Sequence, residues 1–267
     1  MATTVRQYDE GETWISTSHG SLYLRTWPGA DANLRAPGTP IVLLHDSLGS
    51  VELWRDFPAR LARATGRPVV AYDRLGFGRL DPHPGTLAAD FIANEAREGF
   101  ARLVEYLDAP HFSVLGHSVG GGMALCAAAA HPGRCEHVIT EAAQTFVEDR
   151  TLAGLYAARA AFAAPGQLDR LRKYHGDKAQ WVLSAWLDTW LAPSFASWNL
   201  DTQLPQVRCP VLAIHGADDE FGSRLHPQRI QNLAAGPVTL DYLADCGHVP
   251  HREHPLHVRD RIRAFLG

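Results

Sequence analysis

The sequence predicts an α/β protein: a mostly parallel sheet with helices on both faces and one helical insertion. Three observations carry this. Short apolar runs alternate with longer helical patterns, the order expected of βαβ units. Runs such as 41–44 and 69–72 are continuously apolar rather than alternately polar, which suits strands covered on both faces. Over residues 145–200 the alternation stops and only helical patterns remain.

The elements follow in order. Residues 13–17 and 22–27 flank Ser18-His19-Gly20-Ser21 and read as an antiparallel opening hairpin. Further strands are expected at 41–44, 69–72, 112–115, 137–141, 211–215 and 239–243, making eight in all. Helical patterns lie at about 53–65, 88–108, 118–131, 224–235 and 254–265. Inside the insertion, Leu183, Trp186, Leu187, Trp190 and Leu191 recur at helical spacing on one apolar face. Trp181, Trp186, Trp190 and Trp198 gather four of the chain's seven tryptophans there. The expectation is a core of 1–144 and 201–267 with a lid or cap at 145–200, whose underside roofs a pocket. Trp186 and Trp190 are the substrate-facing candidates; alternatively these aromatics only pack the insertion onto the core.

Composition narrows the function class. The 267 residues are 46% hydrophobic and 20% charged, which excludes a disordered chain or a disulfide-stapled miniprotein. A net charge of -4 leaves no basic surplus for binding nucleic acid. The most apolar stretch, 114–130, contains His117 and Ser118, so no membrane span is expected. The opening MATTVRQYDE lacks the apolar region of a secretory signal. Cys126, Cys135, Cys209 and Cys246 are scattered without a pairing or metal-binding spacing, as for reduced thiols in the cytoplasm.

Gly116-His117-Ser118-Val119-Gly120 matches G-x-S-x-G, after a strand and before a helix. A serine on so tight a turn sits in strained backbone, so its neighbours two residues away must be small, as Gly116 and Gly120 are. Ser118 is therefore the candidate nucleophile, with the helix N-terminus favouring developing negative charge. His248, after the last strand in Asp245-Cys246-Gly247-His248, stands at a strand's C-terminal end and is the candidate base. His251, His254 and His257 follow at three-residue steps. Pro250 and Pro255 interrupt a single helix that could align them, so they read as solvated surface histidines, and no metal or cofactor is expected.

The orienting acid comes from Gly216-Ala217-Asp218-Asp219-Glu220. Spacing from the glycine favours Asp219; Asp218, and Glu141 at the end of the preceding strand, are the alternatives. The order Ser118, Asp219, His248 is the one expected of this architecture. An oxyanion hole needs two backbone donors. Val119 supplies one, and Ser47, with Leu48 as the neighbouring possibility, the other.

Four motifs occur in order: His45-Asp46-Ser47-Leu48-Gly49, Tyr72-Asp73-Arg74-Leu75-Gly76-Phe77-Gly78, Gly116–Gly120, and Gly216 to Asp219 with Gly247-His248. Along almost its whole length the chain resembles the α/β-hydrolase superfamily, which implies that fold, a Ser-His-Asp triad and no cofactor. Asp46-Ser47-Leu48-Gly49-Ser50 and Glu141-Ala142-Ala143-Gln144 resemble the small lidded esterases around biphenyl-hydrolase-like and valacyclovir-hydrolase-like proteins. Those proteins often carry an acidic residue after the nucleophile, suited to a substrate amine. Here it is Val119, so the feature suited to amino-acid esters is missing at that position. Asp46 stands where a glycine is usual, and Leu80 where a serine commonly follows the Gly-x-Gly-x turn.

The resulting expectation is hydrolysis of an ester or thioester of a small, mainly hydrophobic substrate through an acyl-enzyme. Lactone opening, carbon–carbon bond hydrolysis of a vinylogous diketone and cofactor-free peroxidation use the same triad. Epoxide hydrolase and haloalkane dehalogenase chemistry is disfavoured, since those members place an aspartate where Ser118 stands. A non-catalytic small-molecule binder and an interaction scaffold are the rivals from other classes.

Overall fold

A computed structural model describes residues 10–17, 20–29 and 38–267. Its eight-stranded sheet contains β1 (Gly11–Thr17), β2 (Gly20–Trp27), β3 (Ile41–Leu44), β4 (Val69–Tyr72), β5 (Phe112–His117), β6 (Cys135–Glu141), β7 (Val211–Gly216) and β8 (Val238–Leu243). Spatial order is β1-β2-β4-β3-β5-β6-β7-β8. The β1/β2 and β2/β4 pairs are antiparallel; all others are parallel. Ser18 and His19, in the expected hairpin turn, lie outside the described residues.

The chain leaves β3 toward β4 on one side and leaves β5 toward β6 on the other. Crossovers that diverge from adjacent strands open a crevice beyond their C-terminal ends, where open α/β sheets hold their ligands. The loops beginning at His45 and Ser118 meet there, because β3 and β5 run in register with Leu44 beside Gly116.

Strands β3, β4, β5 and β7 are buried at every position, as suits strands covered on both faces, and β3 and β4 are apolar throughout. Strand β8 differs. It is the sheet's edge, it alternates polar and apolar residues, and only Leu243 is fully buried.

Two expected helices are interrupted, each for a local reason. The pattern at 53–65 becomes a 3-10 turn, Val51–Trp54, and α1 (Phe57–Thr65), parted at Arg55, where φ is 53°. The pattern at 88–108 becomes α2 (Phe91–Arg97) and α3 (Gly99–Leu107), parted at Glu98. Glu95 there turns inward to accept a 2.6 Å hydrogen bond from Tyr72 Oη, and a Cβ on Gly99 would lie 2.3 Å from its carboxylate. Helix α4 (Val119–Ala130) is Ala- and Gly-rich and buried almost all round, the close approach its small residues permit.

Between β6 and β7 lie α5 (Asp149–Phe162), α6 (Gln167–His175) and α7 (Ala179–Trp190). The sole β-contact of this segment among the described residues is an isolated bridge between Phe146 and Asn199. Leu183, Leu187 and Trp190 of the apolar stripe on α7 are buried. Helix α8 (Leu225–Leu233) follows β7. At the C-terminus, α9 (Pro250–Glu253) and α10 (Pro255–Leu266) are split at His254, since Pro255 is preorganised to begin a helix but cannot donate within one. All four cysteines, each among the described residues, are free thiols.

Candidate active site

Ser118 joins β5 to α4 with φ 57° and ψ −123°, a conformation that is strained for any residue but glycine. Close packing holds it there. A Cβ on Gly116 would lie 2.0 Å from the Gly120 carbonyl oxygen, and one on Gly120 would lie 2.2 Å from that of Leu44. The Ser118 N–H donates to the Glu141 carbonyl at 2.9 Å, tying the turn to β6.

Ser118 Oγ lies 2.9 Å from His248 Nε2, and His248 Nδ1 lies 2.8 Å from Asp219 Oδ1. Asp219 is fully buried, and its Oδ1 also accepts the N–H groups of Phe221 and Gly222. Burial disfavours its charge, but the His248 hydrogen bond, the nearby His215 and those N–H donors outweigh it, holding the carboxyl below its usual range. An ionised Asp219 places the imidazole proton on Nδ1, so the Nε2 lone pair faces the serine hydroxyl. Phe221 packs against the His248 ring at 4.8 Å.

The alternative acids lie elsewhere. Asp218 is exposed, and its N–H donates to the Cys246 carbonyl. Glu141 is buried against another histidine: His251 Nδ1 lies 2.8 Å from its Oε2. This corrects the expectation for His251, which is a core residue packed on Trp54 and Phe57, not a surface one. Burial keeps its pKa below the ordinary histidine value despite Glu141. His254 and His257 diverge from it, toward the Asp245 carbonyl and Asp241 respectively. Among the described residues no cluster of His, Cys, Asp or Glu is arranged to hold a metal ion.

On the opposite side, the backbone N–H groups of Ser47 and Val119 have no acceptor among the described residues. Leu48 is not free in this way, because its N–H donates to Asp46 Oδ1 at 2.8 Å. Asp46 Oδ2 lies 3.4 Å from His117 Nδ1, and Arg74 Nη2 donates to the Asp46 carbonyl at 2.9 Å. The loop bearing Ser47 is thus held from both sides. Burial opposes the Asp46 charge, but His117 outweighs it and lowers the pKa.

These groups open on a cavity of about 750 Å³. Asp46, Ser47, Leu48, Ser118 and His248 line one wall; Phe162, Leu171, Tyr174 and Trp186, from α5 to α7, line the other. Trp186 therefore faces the cavity, in contact with Phe221. Trp190 does not. It is 1% exposed and packs on Phe195 and Trp198, because it lies one helical turn further along and points into the segment's own core.

Sequence reasoning missed three structural partners. His117 occupies a free position of G-x-S-x-G, and only its neighbour across the sheet reveals its contacts. The buried Glu141–His251 pair and the anchoring of the Asp219 turn by α5 also went unread. Glu148 accepts hydrogen bonds from Ser223, Arg150 Nη1 donates to the Asp219 carbonyl, and Thr151 Oγ1 donates to the Phe221 carbonyl.

Fold, motif order and site define an α/β hydrolase, and comparison with known proteins agrees. The sequence profile of the Alpha/beta hydrolase family matches residues 41–258, and the chain belongs to that family. It is 28% identical to human Serine hydrolase BPHL over 228 residues, 82% of this chain and 74% of that one. It is 41% identical to Proline iminopeptidase of Levilactobacillus brevis over 97 residues, but that match spans only 35% of this chain and 30% of the iminopeptidase. Similar folds include Proline iminopeptidase of Mycobacterium smegmatis (TM-score 0.74, 20% identity, covering 96% of this chain and 97% of that one). Carboxylesterase CesB of Bacillus subtilis is another (TM-score 0.71, 18% identity, covering 97% and 92%).

Proposed function

We propose that the protein is a serine hydrolase that cleaves a carboxylic ester or thioester of a small substrate with a mainly apolar body. The observation that carries this is the hydrogen-bonded chain from Ser118 Oγ through His248 to Asp219, ending at a cavity large enough for a small molecule.

His248 Nε2 takes the Ser118 proton as Oγ bonds to the carbonyl carbon, and the carbonyl electron pair moves onto oxygen. The N–H groups of Ser47 and Val119 receive that oxyanion. Collapse expels the alcohol or thiol, which leaves with the proton from His248. Water, deprotonated by the same nitrogen, then attacks the acyl-enzyme and releases the acid and Ser118. Asp219 keeps the imidazole in its productive tautomer and stabilises its charged form. Residues 145–200 serve as a lid, with Trp186 over the substrate.

An ester fits better than the N-terminal proline of a peptide. An amine needs a free carboxylate, and Asp46, the one acidic group in the cavity wall, already faces His117. Among the described residues no helix is long and apolar enough to cross a membrane, and the free thiols suit a reducing cytoplasm.

The test is labelling by a serine-directed fluorophosphonate together with turnover of p-nitrophenyl esters. Ser118→Ala is expected to abolish labelling and lower kcat by roughly 10⁶-fold with the fold intact. Labelling elsewhere, or substantial turnover in that variant, overturns the reading.

A further inference from the structure

We propose that the cavity selects an ester carrying an oxyanionic group, a carboxylate or phosphate, at the end remote from the scissile carbonyl, and that Arg55 and Arg252 hold that group. This rests on the hydrolase reading and adds the substrate class.

The cavity wall carries four cationic side chains, Arg55, Arg170, Lys173 and Arg252, against the single carboxylate of Asp46. None of the four has an ion-pair partner among the described residues, whereas nine of the fifteen ion pairs among those residues use arginine. Asp46 is committed to His117 and to the Leu48 N–H. A chain of net charge -4 thus gathers positive charge without ion-pair partners on the lining of the cavity that also holds its candidate nucleophile.

Arg55 and Arg252 are built for this position. Arg252 Nη2 donates to the Leu53 carbonyl at 2.6 Å, which orients the guanidinium and leaves its other N–H donors available. Burial lowers the Arg252 pKa, Asp46 acts in the opposite sense, and the Arg55 charge lowers it further, so the two guanidinium groups feel one another. Arg55 and Arg252 are exposed to solvent on the cavity lining. Like charges there repel, and an anion between them removes the repulsion and gains charge-assisted hydrogen bonds. Arg55 also stands in strained backbone, φ 53° and ψ −123°, almost the values of Ser118. A residue other than glycine is held there only where the surroundings over-determine it, and such positions gather at ligand sites. Leu48, Leu53, Phe162 and Trp186 line the same cavity and supply its apolar surface. The substrate body is therefore apolar and its far end charged.

Matched p-nitrophenyl esters test the idea: pentanoate, hemiglutarate, 4-phosphonobutanoate and 5-aminopentanoate. Two charge-assisted hydrogen bonds predict that kcat/KM for an anionic ester exceeds that for pentanoate by about 10–100-fold. The two anionic arms tell a carboxylate from a phosphate preference, and the aminopentanoate is expected to fall below the pentanoate. In Arg55→Gln/Arg252→Gln the ratio is expected to approach one, Arg252→Lys to retain much of it, and added salt to erode it. A wild-type ratio of one or less, or a ratio unchanged in the double variant, overturns the proposal. Calorimetric binding of monomethyl glutarate against methyl pentanoate to Ser118→Ala needs no turnover. Anion-selective binding without fluorophosphonate labelling sinks only the hydrolase reading; catalysis without charge preference sinks only this one.

Discussion

The Nε2–H of His117 donates to the carbonyl oxygen of His248 at 2.7 Å, so the residue before the candidate nucleophile fixes the backbone of the candidate base. The other nitrogen of His117 faces Asp46 Oδ2 at 3.4 Å, and Asp46 in turn holds the Leu48 N–H of the loop that presents Ser47. One imidazole thereby links three loops at the C-terminal ends of β3, β5 and β8. Asp46, Glu141, His248 and His251 all face it. Burial disfavours its protonation, but the Asp46 and Glu141 carboxylates and the His248 carbonyl outweigh that and raise its pKa above 6.5.

His117→Asn should therefore disturb alignment more than binding. A lowering of kcat by about 10–100-fold with KM changed little is expected from a small misplacement of the base. The pH dependence gives a second readout. A raised folded pKa means that the His117 contribution to stability is complete below 6.5 and is lost as pH rises through its higher folded value. Thermal melts on the alkaline side should show a decline in the wild type that His117→Asn flattens.

Asp219→Asn leaves an oxygen that can still accept the Phe221 and Gly222 N–H groups, so the turn should survive. The neutral amide cannot stabilise a charged His248. A drop in kcat of roughly 10³–10⁴-fold is expected, with an unchanged circular dichroism spectrum. Retained activity would assign the acid's role elsewhere.

Glu148 links the start of α5 to the turn after Asp219. Burial opposes its charge, yet hydrogen bonds from His226 and Ser223 bring its pKa down to about 2. A depressed folded pKa means that its contribution is present above the ordinary value of 4.5 and is lost as pH falls toward about 2. Denaturant titrations of Glu148→Ala should show a loss of about 1.5–3 kcal/mol near neutrality. That gap should close on acidification. A gap independent of pH would mean that packing, not charge, anchors the turn.

The strands were legible because burial on both faces leaves a contiguous apolar run, and β3 and β4 begin and end where those runs do. The elbow was legible because its strain demands glycine two residues either side of Ser118, a requirement written within five positions. Helix breaks were not, since Glu95 and Arg55 interrupt the pattern through contacts and backbone angles that periodicity does not encode.

By itself the sequence determined the order of strands, the serine turn and the loops bearing Asp219 and His248, because each depends on neighbours in the chain. Only the tertiary structure decided which carboxylate meets which histidine. It gave Asp219 to His248 and sent Glu141 to His251, 110 residues away. It likewise decided that Trp186 and not Trp190 faces the cavity, and that Arg55 and Arg252 line the same cavity as Ser118. Such pairings are set by how loops from separate strand ends converge over the sheet, and a linear pattern carries no record of that convergence.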